Sequence, residues 1–490
     1  MRASTARSAQ RLRVASQILF LAAFVALLLA AGSPRLPHWA ARGIFFLLDP
    51  LILLLHLAAT RTVLAIGLLA LVPVVLTLVL GRFMCGWVCP FGALHRFFSW
   101  LFGRSRNRGR GPEPRLLRIK YLVLASVLVA ALVGVNLGGW LDPFALLTRS
   151  VAAAVGPAIE TPLRGLAGPG RSGTQPVLVG LLFALVLVLN AWKRRFFCNV
   201  LCPLGALYGL LARFSLLRLA PAPDCESCRA CGKRCTYEGD PGEGYRKSEC
   251  TVCLHCVADC PREGVTVRFS WPRRAQRTPL DVGRRRLLGA TAAGLVIAAL
   301  PKAALAARPG RPHRFARPPG AVRERDFLER CARCGQCVEA CPTGFVQPAL
   351  LDAGVEGLWT PVLNARAGYC DYECQRCTSA CPTGAIERLT LERKKPFKIG
   401  TAVVDRNWCY TYADGVDCTV CVDRCPVTPK AIRFRDAEVW NFRGRRVTVR
   451  QIYVVPDLCT GCGICEHFCP RGGAPGIVNT AEDEDREAPG

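Results

Sequence analysis

Apolar residues run almost unbroken through 14–31, 62–80, 119–137 and 177–192, each stretch (the last with its flanks) long enough to cross a bilayer as a helix. The polar positions between them carry charge unevenly. Four arginines precede Val14 and three lie in the 32–61 loop; nine lysines and arginines lie from Gly81 to Lys120, and three in the 138–176 loop. Lys193, Arg194 and Arg195 then come directly after the fourth stretch. Positive charge marks the cytoplasmic side, so both ends of a four-helix unit are expected inside, with two loops outside. A fifth apolar segment begins at Gly283-Arg284-Arg285-Arg286-Leu287-Leu288 and closes on Ala304-Leu305-Ala306. A basic head, a modestly apolar body and a small-residue ending read as a twin-arginine export signal in the middle of the chain. A fifth membrane helix is the alternative. Either carries the C-terminal residues to the opposite side of the membrane.

The membrane unit repeats itself. Arg82-Phe83-Met84-Cys85-Gly86-Trp87-Val88-Cys89-Pro90-Phe91-Gly92-Ala93-Leu94 returns as Arg195-Phe196-Phe197-Cys198-Asn199-Val200-Leu201-Cys202-Pro203-Leu204-Gly205-Ala206-Leu207. Each copy ends a span at the cytoplasmic face, and each comes after an outer loop with an Asp-Pro pair, Asp49-Pro50 and Asp142-Pro143. Two related two-helix halves imply a pseudo-twofold axis along the membrane normal. Such an axis would bring Cys85 and Cys89 opposite Cys198 and Cys202 as the candidate catalytic thiols. A further cluster and a redox-active dithiol pair both fit them. Asp49 and Asp142 are either proton acceptors or helix caps, since Asp before Pro is a favoured helix start. His56, beside Asp49 in an apolar segment, is a weaker candidate for the same proton chemistry.

Composition changes the picture through cysteine. The 490 residues are 51% hydrophobic and include 28 cysteines; mean hydropathy is +0.25. An exported chain would ordinarily use cysteine for disulfides, but the spacing here is that of iron–sulfur ligands. Cys225, Cys228, Cys231 and Cys235 precede Cys250, Cys253, Cys256 and Cys260-Pro261. In such a pair of runs three thiolates hold one cubane and the fourth reaches to its neighbour. One cluster therefore takes Cys225, Cys228, Cys231 and Cys260, and the other Cys250, Cys253, Cys256 and Cys235. Thr236 stands where proline is usual after the fourth cysteine.

After the export signal come four more runs. They are Cys331, Cys334, Cys337, Cys341; Cys370, Cys374, Cys377, Cys381; Cys409, Cys418, Cys421, Cys425; and Cys459, Cys462, Cys465, Cys469. Two pairings satisfy the spacing, sequential (first with second, third with fourth) and nested (first with fourth, second with third). Four membrane cysteines, eight in the inner pair and sixteen beyond the signal account for all 28, leaving none for a disulfide. The count implies six 4Fe–4S clusters, two cytoplasmic and four periplasmic, with a further one at the membrane cysteines as an option.

The formal charge of +28 comes from arginines beside apolar segments, with no basic and aromatic alternation of a single-strand binder, so nucleic acid is not an expected partner. There is no dinucleotide fingerprint or phosphate loop, and six histidines offer no bis-His haem pair on one span.

On these motifs, residues 1–270 resemble the membrane component of the quinol dehydrogenases that serve periplasmic nitrate reductase, the NapH type. Residues 280–480 resemble its NapG-type partner, related to the ferredoxin-like proteins of methylamine utilisation. Those are separate chains, and here they are joined through the signal. The resemblance implies oxidation of quinol from the membrane pool and electron delivery through clusters to a periplasmic redox enzyme or cytochrome, at the bacterial inner membrane. A redox sensor or maturation factor for a periplasmic metalloenzyme is the alternative, and an ion-coupled complex would want polar residues that the spans lack. The expected fold is a four-helix membrane unit built from a two-helix repeat, plus α+β ferredoxin-like domains on both sides. The expected parts are a membrane domain at 1–220, a cytoplasmic two-cluster domain at 221–270 and a linker with the signal at 271–320. A periplasmic four-cluster domain at 321–480 and a solvated acidic tail at 481–490 complete the chain.

Overall fold

The computed structural model describes residues 3–30, 38–63, 65–103, 114–155, 174–222, 231, 235, 239, 245–261, 264–271, 283–306, 315–350, 353–354 and 356–487. Two compact units emerge, one of Met1–Ala30, Ala41–Thr148 and Gly180–Leu300, the other of Ala31–Ala40, Arg149–Val179 and Pro301–Gly490. The expected boundary near residue 220 is not a break: the inner cysteine pair belongs to the same unit as the apolar helices. Its strand β1 (Leu217–Pro221) already begins before that boundary and pairs antiparallel with β2 (Val265–Phe269), bracketing the two runs.

Four full-length spans are not what the first unit contains. Among the described residues one helical segment, Ser4–Leu28, is both long and apolar enough to cross a membrane. The other expected spans form shorter apolar segments, Gly67–Leu80, the helix Ile119–Leu132, and Val177–Trp192 within the helix Thr174–Trp192. Local chemistry explains the shortening. A 3₁₀ turn, Ala65–Ala70, precedes the helix Leu71–Leu80, and Gly134, at φ 89°, lies just past the end of helix Ile119–Leu132. These helices keep apolar side chains on their outward faces, including Leu68, Val72, Val75, Leu181, Leu185 and Val188.

The duplicated motif repeats in three dimensions as well. Met84–Val88 and Phe197–Leu201 are both π-helical turns. Each leads through an extended cysteine, Cys89 or Cys202, into a helix that starts at proline, Pro90–Gly103 or Pro203–Ala212. Proline disfavours helical geometry in the residue before it and suits the first helical turn, so Cys-Pro sets this break. The segment expected to be an export signal is a helix, Arg284–Ala306. It lies on helix Ile119–Leu132 through small residues: the Ser126 hydroxyl donates to the Ala290 carbonyl at 2.9 Å, and a side chain at Gly294 would meet the Ser126 carbonyl at 2.6 Å. Small residues allow the close backbone approach typical of membrane helix pairs. The long N-terminal helix also reaches the inner cysteine domain, where Gln10 and Arg13 contact the two ring nitrogens of His255 at 3.1 and 3.2 Å. Burial, then the Arg13 guanidinium, lowers that imidazole to about 4, which keeps it neutral.

The second unit is an α+β array of short helices and two-stranded sheets. β3 (Val346–Pro348) pairs with β4 (Pro361–Leu363) between the first two runs. β5 (Thr401–Val404) pairs with β8 (Ile477–Thr480) around the last two, and a nine-residue hairpin, β6 (Ile432–Trp440) and β7 (Arg446–Val454), joins those runs. Gly461, at φ 72°, has no room for a side chain, which would lie 2.6 Å from the Gly400 nitrogen.

The acidic tail is not solvated throughout. Arg317 clamps Glu324 with two bonds of 3.1 and 2.6 Å, Arg486 adds a third at 2.6 Å, and Glu484 pairs with Arg486 in turn. Two guanidiniums against two carboxylates let Glu484 and Arg486 be buried. Burial alone would raise the Glu324 carboxyl, yet Arg317 and then Arg486 bring it down to about 2. A depressed carboxyl stabilises above its unfolded value, near 4.5, and loses that contribution as pH falls toward 2. Glu324→Gln is therefore expected to cost about 3 kcal/mol at neutral pH. Its deficit against wild type should stay constant from pH 7 to about 5 and shrink below that. Urea denaturation of both proteins across this range measures it, and a pH-independent gap would refute the assignment.

Candidate functional site

In the second unit the structure decides how the runs are paired. Cys331, Cys334 and Cys337 share one small cavity with Cys381. Cys341 lies within electrostatic reach of Cys370, Cys374 and Cys377. Cys409, Cys418 and Cys421 line a cavity with Cys469, and Cys459, Cys462 and Cys465 line one with Cys425. First joins second and third joins fourth: the arrangement is sequential. In the first unit Cys250, Cys253 and Cys256 gather with Cys235. For the sister set Cys231 and Cys260 pack in the same core, whereas Cys225 and Cys228 lie outside the described residues.

These sets suit a cubane. Among the described residues no three Cys, His, Asp or Glu side chains stand close enough to hold a single metal ion. A cubane instead takes one thiolate on each of its irons, so its ligands stand further apart. Backbone amides also point at the sulfurs, as cluster sites require: Gly264 donates to Cys260 at 3.2 Å, Ile386 to Cys381 at 3.4 Å and Gly476 to Cys469 at 3.3 Å.

The four cysteines of the duplicated motif meet as well. Cys85, Cys89, Cys198 and Cys202 all line one cavity of about 250 Å³, against about 20 Å³ for each of the ferredoxin-type cavities. The rest of its wall is almost wholly apolar, from Phe20, Ala23 and Leu27 on one face of the long helix to Phe45, Leu48 and Phe144. Arg82 and Tyr208 are its polar tips.

Arg82 belongs to a buried network that the motifs alone do not announce. Its guanidinium donates to the Glu249 carboxylate at 3.1 Å and to the Ser248 carbonyl at 3.0 Å. Lys120 also pairs with Glu249, and the Tyr121 hydroxyl donates to it at 2.8 Å. Glu249 immediately precedes the ligand-type Cys250, so this network ties the cavity wall to the inner cysteine loop.

Asp49 and Asp142 are caps. Asp49 accepts from the Leu51 and Ile52 amides at 2.8 and 3.4 Å, and Asp142 from Ala145 at 2.8 Å. Both carboxyl groups are buried, and Asp142 lies within electrostatic reach of Asp49. Their chain neighbours Leu48 and Pro143 line the cavity. His56 is buried on the helix Pro50–Thr60 and does not line it.

Known families match these sites. A 4Fe-4S binding domain matches residues 62–109 and 174–220, a 4Fe-4S dicluster domain 330–386, and a further 4Fe-4S binding domain 452–473. The chain is thus an iron–sulfur protein of the ferredoxin type, built for electron transfer. It is 38% identical over 168 residues to the methylamine utilization ferredoxin-type protein MauM of Methylorubrum extorquens, covering 32% of this chain and 69% of that one. To the MauN protein of Paracoccus denitrificans it is 32% identical over 240 residues, 46% of this chain and 74% of that one. To the ferredoxin-type protein NapH of Escherichia coli it is 27% identical over 245 residues, 47% and 77% of the two chains. The chain belongs to the MauM and MauN family of ferredoxin-type proteins. No solved structure matches it.

Proposed function

We propose that this chain is a fused, multi-pass membrane electron-transfer protein that oxidises quinol from the membrane pool and delivers electrons to a periplasmic oxidoreductase, such as a nitrate reductase. The observation that carries the reading is the large apolar cavity with thiols on its wall, in the unit that also holds the long apolar helix. An apolar pocket with few placed polar groups suits a quinol ring and tail.

Six 4Fe–4S clusters complete the reading, held by the sequentially paired cysteine sets. When bound, each cluster supplies a one-electron carrier whose potential depends on hydrogen bonding and exposure. The chain's own residues do the rest. Phe20, Leu27, Phe45 and Phe144 hold the ring away from water, and the buried Asp49 and Asp142 carboxyl groups offer a place for a proton.

Sidedness has support of two kinds. Among the described residues, 38–40, 149–155 and 174–179 cluster with the C-terminal sixteen-cysteine region, while both copies of the duplicated motif cluster with the inner pair. The Trp87 indole, for example, donates to the Val252 carbonyl at 3.2 Å. Outward apolar faces on the short helices favour lipid around them. Packing of the signal segment on helix Ile119–Leu132 favours its retention as a membrane helix.

The test is anoxic titration of the purified full chain with a menaquinol analogue, monitored by EPR. Quinol-dependent signals are expected. Full iron with no response to quinol would overturn the reading and favour sensing or maturation. Cluster pairing has its own check: Cys331→Ser and Cys381→Ser should each remove the same signal, and the double variant should lose no more iron than either alone. Matching of Cys331→Ser with Cys469→Ser would mean nested pairing.

A further inference from the structure

The two segments that match a 4Fe-4S binding domain within the membrane unit carry only two cysteines each, Cys85 with Cys89 and Cys198 with Cys202. A cubane takes four protein thiolates in such families, so neither segment can complete one alone. We propose that Cys85, Cys89, Cys198 and Cys202 together ligate one further iron–sulfur cluster, shared across the seam of the repeat.

Four observations converge on it. All four thiols face one cavity and lie within electrostatic reach of one another. The Cys-Pro backbone is the same as in the ferredoxin runs. Cys89 and Cys202 have φ, ψ of −63°, 115° and −66°, 110°, against −80°, 110° at Cys341, −74°, 116° at Cys381 and −63°, 119° at Cys425.

The sulfurs also accept backbone amides, as those of the ferredoxin-type sets do. Gly92 donates to Cys89 at 3.4 Å and Gly205 to Cys202 at 3.2 Å, each from three residues on, where Cys260, Cys381 and Cys469 accept from four, five and seven residues on. Packing demands glycine at Gly92, where a side chain would stand 2.9 Å from the Cys85 carbonyl; at Gly205 it would press on Arg82 at 3.2 Å.

Charge completes the case. Arg195, Arg82 and Lys120 are all buried within electrostatic reach of Cys198, and Glu249 pairs with Arg82 and Lys120. Buried charge is costly unless compensated. A four-thiolate cluster is an anion and adds to that compensation; a neutral dithiol or disulfide does not. The cavity is also far larger than the ferredoxin-type ones, leaving room beside the cluster for the apolar ligand proposed above.

Iron content, Mössbauer spectra and thiol mapping of the anoxically purified full chain test the assignment. About 28 iron atoms per chain are expected, against about 24 for six cubanes alone. The double variant Cys85→Ser, Cys202→Ser should lose about four of them and one spectral component, leaving the rest unchanged. Because that variant can fail to fold, the wild type decides independently. Its four membrane thiols should resist N-ethylmaleimide until the iron is chelated. About 24 iron atoms in the wild type, or alkylation of these thiols while all iron stays bound, would overturn the proposal. Neither readout depends on quinol, so the two readings fail separately.

Discussion

Glu249→Ala should destabilise the first unit by about 3–5 kcal/mol, the range found when one partner of a buried ion pair is removed. Glu249 is 3% exposed, and the cations it faces, Arg82 and Lys120, are 1% and 0% exposed. Removing the carboxylate takes its charge from two desolvated cations, and it strips the Tyr121 hydroxyl of its acceptor. The loss is directional as well as large. Arg82 also holds the Ser248 carbonyl, so the loop that leads into Cys250 loses its tie to the cavity wall. The clusters proposed for the inner pair should then be released before those proposed for the second unit, because the units are separately compact. Thermal denaturation in nanodiscs, monitored by visible absorption and iron release, measures both effects. Glu249→Gln should fall between, since an amide keeps one acceptor and loses the charge. A change below about 1 kcal/mol for Glu249→Ala would mean that the network is not closed as described.

Much of this architecture could be read from spacing. The repeat at Cys85 and Cys198 and the six runs are patterns of identity and interval, and the structure brings each described set together as the intervals imply. Other features depend on contacts remote in sequence. Arg82 and Glu249 are 167 residues apart, and no local pattern marks one as the partner of the other. The one available signal was an acidic residue beside a ligand-type cysteine opposite a basic residue in each repeat. Nested and sequential pairing share the same intervals, so only packing between runs distinguishes them.

The tail shows a different limit. Glu482-Asp483-Glu484-Asp485 has the composition of a solvated segment, but Arg486 behind it finds Glu324 in a folded pocket. Composition reports average solubility and misses a single good partner. Span length failed for a third reason: hydropathy sums over residues without registering the breaks at Ala65–Ala70 and Gly134.

Ala23→Trp is expected to abolish quinol-driven reduction while leaving iron content intact. Ala23 lies on the same face of the long helix as Phe20 and Leu27, three residues after one and four before the other, and all three line the cavity. An indole there projects into a space of about 250 Å³ that the quinol ring is proposed to fill. Burying an aromatic ring in an apolar site is worth on the order of 4 kcal/mol. Excluding it should therefore raise the quinol needed for half-reduction at least about 100-fold. Overpacking in a tight core would cost about 1–3 kcal/mol, but here the side chain enters open volume, so the fold should survive. Dithionite, which needs no cavity, should still reduce every cluster in the variant. That contrast separates a blocked site from a damaged wire: loss of both reductions would mean misfolding, and retention of both would place quinol oxidation elsewhere on the chain. Ala23→Leu, which takes up less of the space, should give an intermediate shift. A graded response from alanine through leucine to tryptophan would tie the rate to the volume of this cavity, since none of the three side chains can ligate iron or move a proton.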